Sequence, residues 1–180
     1  MPVTIGENDT QVVSLDELKD HLNIDSSRDD GELMLTLGAA VEAVEGIIGP
    51  ILHREVTEPA RTWTGTLALQ QSPVVSVTTL TASDSPVTYS LDTATGILRD
   101  VASTAALSVT YVAGRTVVPD AVRLAILIIA GHLWKTQLGS APSTSLQGVE
   151  DFAPDLGLGY AIPSRAQDLL APYALPPTVA

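Results

Sequence analysis

Three histidines, two pairs of adjacent acids and one arginine inside an apolar run are the residues of this sequence best equipped for chemistry. His21, His53 and His132 stand far apart. No two have the i, i+4 spacing that sets two imidazoles on one helix face for a metal ion. His132 lies in the most apolar stretch and reads as a hydrogen-bonded core or interface residue rather than a general base. Asp16-Glu17 and Asp29-Asp30 are paired carboxylates. Such pairs do acid–base work when their environments drive the two pKa values apart. Both pairs fall at expected helix starts, where the macrodipole favours negative charge and accounts for them without catalysis. Arg123 needs an acidic partner or a route to water, so it reads either as an ion pair between subunits or as a snorkelling side chain. Trp63 and Trp134 read as core. The sequence has no phosphate-cradling loop ending in Lys-Ser or Lys-Thr, no G-x-S-x-G and no H-E-x-x-H. It has no cysteine, which removes thiolate metal sites, disulfides and a cysteine nucleophile. No catalytic residue, cofactor or metal site is therefore expected.

The elements that would position these residues are legible from periodicity. Ser14-Leu-Asp-Glu17 has the form of a capping box, with Leu15, Leu18 and Leu22 at helical spacing behind it. This predicts a helix over 14–22. A second helix is predicted over 29–52, on the stripe Leu33, Leu37, Val41, Val44, Ile48 and Leu52, with Gly49-Pro50 as a possible early stop. From residue 61 the period becomes two: Trp63, Leu67 and Leu69, then Val75 and Val77, then Val87, Tyr89 and Leu91, then Leu107, Val109 and Tyr111. This predicts an antiparallel β segment over 61–113. Pro119 opens a helix over 119–138 that is apolar nearly all round and must be covered on both sides. Residues 139–162 are rich in Gly, Ser, Ala and Pro and read as a flexible linker. A last short helix is expected over 163–170. The fold class is α+β, mainly a helical bundle with an inserted antiparallel β segment. Residues 1–138 form one domain, 139–162 the linker, and 163–180 a C-terminal docking helix and tail.

Charge divides the chain unevenly. Its 180 residues carry a net charge of −12. Residues 1–58 hold thirteen acids against three bases, Lys19, Arg28 and Arg54, a balance of −10. Gripping DNA or RNA requires clustered Lys and Arg, so a nucleic-acid-binding role is disfavoured, as is docking on an anionic membrane. The start lacks a basic and then apolar leader. The most apolar run, residues 121–134, is too short to span a bilayer.

The order of the motifs carries more than any one of them. V-S-L-D-E-L-K-D-H-L-N-I-D (13–25) precedes a polar acidic turn and A-A-V-E-A-V-E-G-I-I-G (39–49). S-P-V-V-S-V (72–77), V-T-Y-V-A-G (109–114), V-P-D-A-V-R-L-A-I-L (118–127) and L-L-A-P-Y (169–173) follow in turn. This set resembles the head–tail connector, or adaptor, proteins of long-tailed bacteriophages, the HK97-type connector family. The resemblance implies a structural virion protein without catalysis or cofactor, made in the host cytoplasm and placed at the neck. It implies a homo-oligomeric ring of about twelve copies under the portal protein, a channel that DNA crosses without specific binding, and a platform for the next neck or stopper protein.

Site expectations follow from the resemblance and the residues together. The C-terminal residues Pro163, Arg165, Leu169, Leu170, Pro172 and Tyr173 are expected to dock on the portal. Arg123, Ile126 and Trp134 are expected at the contact between subunits. Asp29, Asp30, Glu32, Glu42 and Glu45 are expected to face the channel, where negative charge repels phosphate. Another neck role, as stopper or tail-completion protein, is the nearest alternative. An acidic mimic of nucleic acid and a small hydrolase built from Asp, Ser and His are the others.

Overall fold

The computed structural model describes residues 3–4, 11–62, 64–83, 85–93, 95–102, 106–137 and 162–175. Trp63 and all but the last residue of the expected linker lie outside them. The chain divides into two compact units, one of Met1–Val12, Val44–Asp120 and Tyr173–Ala180, the other of Val13–Ala43 and Ala121–Pro172.

The second unit is helical. Helix α1 spans Leu15–Leu22 and begins as its sequence demands. The Ser14 hydroxyl accepts from the Glu17 amide at 3.2 Å, and the Glu17 carboxylate accepts from the Ser14 amide at 2.9 Å. Two amides left over at the helix start are thereby satisfied. Asn23 ends the helix at φ 56°, a left-handed position that Asn tolerates. Helix α2 spans Asp30–Ile48 and passes from this unit into the other. Helix α3 spans Asp120–Gln137, and α4 spans Ser164–Leu170 before a 3₁₀ turn at Ala171–Tyr173. Ion pairs join these helices: Lys19 meets Asp30 at 2.9 Å, and Arg123 meets Glu17. Gly131 lets α1 approach α3, because a Cβ there would stand 3.2 Å from Leu22.

The other unit holds the sheets. Strands β2 (Arg54–Ala60), β4 (Val74–Ala82), β5 (Ser85–Pro86) and β8 (Leu107–Ala113) form one antiparallel sheet in the order β2-β8-β4-β5. Strands β3 (Leu67–Ala68), β6 (Ser90–Asp92) and β7 (Ile97–Arg99) form a second, ordered β3-β7-β6. Strand β1 (Val3–Thr4) pairs with β9 (Val117–Val118). The core of this unit gathers Leu67, Leu69, Val74, Leu80, Leu98, Val101, Leu107, Val109 and Tyr111.

Several expectations need correction. Helix α2 stops at Ile48 rather than near 52. Gly49 takes φ +79° there, its amide closes on the Glu45 carbonyl at 2.9 Å, and Pro50 cannot extend the ladder. The sheet starts at Arg54, not 61, because R-E-V-T-E-P-A is an edge strand, where Pro59 costs no ladder bond that the sheet needs. On β4 the buried residues are Val74 and Leu80, while Val75 and Val77 are only half-buried. Register shifts between Val74 and Ser76 and between Val77 and Thr79 break the period of two. On β8 the expected alternation holds, with Leu107, Val109 and Tyr111 inward.

Candidate functional site

Among the described residues, no group of three or more His, Asp or Glu could hold a metal ion. No described helix is long and apolar enough to cross a membrane. His132 is exposed on α3 rather than buried. The two acid pairs are helix-start residues: Glu17 caps α1 and Asp30 opens α2.

The residues expected between subunits are used inside the chain. Ile126 is 0% exposed and Trp134 5% exposed, so neither has a side chain to offer a neighbour. The guanidinium of Arg123 pairs with Glu17 of its own chain. An apolar helix reads the same whether its second side is covered by the same chain or by another copy, and here the chain itself covers most of it.

The backbone amide of Ser14 holds the Glu17 carboxyl below the usual carboxylate range, and Arg123 adds to this against the opposing effect of burial. A folded-state value below the unfolded one means that the unfolded chain binds the extra proton first. This contribution to stability is therefore complete above the ordinary carboxylate range and is lost as pH falls through the lowered value. Thermal melts of the wild type and Glu17→Gln should differ at neutral pH and converge in acid. A constant difference across that range would count against the capping carboxylate.

The acids expected to face a channel are not equivalent. Asp30 is neutralised by Lys19 at 2.9 Å. Glu45 pairs with Arg54 and accepts from the Ile51 amide at 2.8 Å, fastening the chain as it leaves α2. Asp29 is half-buried, and only Glu32 and Glu42 are exposed. The C-terminal segment is also partly committed. Leu170 is buried and Pro163, Leu169 and Tyr173 are half-buried, while Arg165 and Pro172 are exposed. The Leu175 amide donates to the Ile47 carbonyl at 3.1 Å, so this end of the chain is laid along its own residues.

Two features escaped the sequence reading. Glu58 is buried at the sheet edge, accepting from the Gln70 amide at 3.1 Å and from the Tyr111 hydroxyl at 3.4 Å. Burial raises the Tyr111 hydroxyl pKa, so it stays protonated and donates. The second is a groove of about 430 Å³ in the helical unit, where Leu22, Leu124 and Ile128 lie among His21, His132, Lys135 and Arg165. In a chain with 21 acids and nine Lys and Arg, a groove lined by Lys135, Arg165, two imidazoles and no acid is a local reversal of charge. Residues 21 and 165 are far apart in sequence, so only the packing of α1, α3 and α4 reveals it.

Residues 12–85 match the model of the phage gp6-like head-tail connector proteins. The match spans 74 of the chain's 180 residues. Two solved chains share this chain's fold across almost its whole length. One comes from the neck of an empty GTA particle computed with C6 symmetry: TM-score 0.66, 17% identity, 99% of this chain and 97% of that chain covered. The other comes from the neck of a native GTA particle computed with C12 symmetry: TM-score 0.65, 18% identity, with the same coverage. No curated protein matches the chain's sequence.

Proposed function

We propose that this connector is a structural subunit of the neck of a tailed-phage or phage-like particle, one of several copies in a ring that carries the DNA channel from the portal towards the tail. The family match over 12–85 carries this reading. The neck particles that share its fold were computed with C6 and C12 symmetry, which supports a closed ring of identical copies. Net charge supports it too. With −12 overall, the subunit repels the phosphate backbone and gains nothing from counterion release, as a conduit for moving DNA requires.

The portal side of the ring is assigned to the exposed part of the C-terminal segment, Pro172 and Leu175, which is 40% exposed. The opposite side receives the next neck protein. Its work is steric and electrostatic rather than chemical, and it needs no cofactor. The test is to delete the protein from an assembling particle and image the product. Heads filled with DNA but lacking tails are expected, with restoration when the connector is supplied. Normal tailed particles without it would sink the reading, and so would a complete neck in which no density fits the chain.

A further inference from the structure

Two surfaces of the helical unit complement one another in shape and charge. The inner side of α2 carries Leu33, Leu37 and Ala40, all buried. The opposite side carries Gly31, Glu32, Leu35, Gly38, Ala39 and Glu42, all exposed. Leu35 is 70% exposed and Met34 beside it 51%. A Cβ added at Gly31 or Gly38 would meet nothing within 4 Å. Each glycine inside a helix weakens it by about 1 kcal/mol relative to alanine, and packing within the chain does not explain these two. The face is apolar, open to close approach and bordered by acids. The groove described above has the opposite character, lined by Leu124 and Ile128 together with His132, Lys135 and Arg165 and by no acid. No residue of α2 lines it.

We propose that the outer face of α2 in one connector subunit seats in this groove of the next copy, Leu35 against Leu124 and Ile128, and Glu32 and Glu42 towards Lys135 and Arg165. The proposal rests on the ring reading and specifies its contact. The two surfaces are different patches of one molecule, so the contact is head-to-tail and propagates until rotation closes it. An apolar centre inside a charged rim is the usual anatomy of such interfaces, and complementary charge sets partner and register.

The connector has no cysteine, so introduced thiols report without background. Particles carrying Leu35→Cys with Ile128→Cys are oxidised mildly and run without reductant. A ladder of covalent multimers is expected from the double variant and none from either single variant. Lys135→Glu with Arg165→Glu should lower incorporation into particles at least tenfold, and Glu32→Lys with Glu42→Lys should restore it. Three results would overturn the proposal: rings visible in the particles but no ladder, a dimer from Leu35→Cys alone, or a lock within one chain. Efficient closure between Ile128→Cys and Phe152→Cys of the same chain would also overturn it, giving the groove to residues 138–161. Particles whose necks lack the protein altogether would instead defeat the ring reading itself.

Discussion

Gly49→Ala should destabilise the protein by about 3 kcal/mol or more, seen as a lowered urea midpoint of the purified chain. Gly49 sits at φ +79°, where an L-residue with a Cβ costs about 1–2 kcal/mol. The added carbon would also stand 2.1 Å from the Ser72 carbonyl oxygen and 3.3 Å from Leu175. The first of these is a backbone atom, so a loop must move rather than a side chain. That loop is held, because the Gly114 amide donates to the Pro73 carbonyl at 3.0 Å and the Gln71 amide to the Tyr111 hydroxyl at 3.1 Å, while on the other side Arg115 donates to the Ile48 carbonyl at 2.9 Å. Burial lowers the Arg115 pKa, with Tyr173 opposing the shift. Gly46→Ala is the contrast: the same substitution three residues earlier, on a helix and in open space, should stabilise by about 1 kcal/mol. Equal midpoints for the two variants would remove the steric account of why α2 stops where it does.

Ile126→Ala should cost 2–5 kcal/mol, the range for deleting a large buried aliphatic side chain. The measurement belongs on dispersed protein, because it separates two roles. A core residue lowers the stability of the single chain, whereas an interface residue leaves it unchanged and impairs assembly alone. With Ile126 at 0% exposure, the first outcome is expected. Leu35→Asp should behave the other way. At 70% exposure its replacement leaves the midpoint of the dispersed chain nearly unchanged. A wild-type midpoint for Ile126→Ala would return Ile126 to the subunit contact.

The comparison of these residues shows how far periodicity reaches. Leu18, Leu33, Leu37 and Val44 are buried as their spacing requires. So are Leu107, Val109 and Tyr111, because side-chain direction repeats every 3.6 residues on a helix and every two on a strand. The Ser14–Glu17 box was legible because both partners lie within one turn. Strand β2 escaped because Pro59 and its charged residues disguise an edge strand, and the β4 register shifts moved burial from Val75 and Val77 to Val74 and Leu80.

Composition and neighbours a few residues apart were enough for the α+β class, the starts of the helices, the alternating faces of β8 and the acidic charge. Tertiary structure alone decided which apolar faces are spent inside the chain. It hid Ile126 and Trp134, left Leu35 in solvent, paired Arg123 with Glu17, and drew His21, Lys135 and Arg165 around one groove. Whether an apolar side chain is core or surface depends on what packs over it. Such contacts join residues that are distant in sequence, and no local pattern records them.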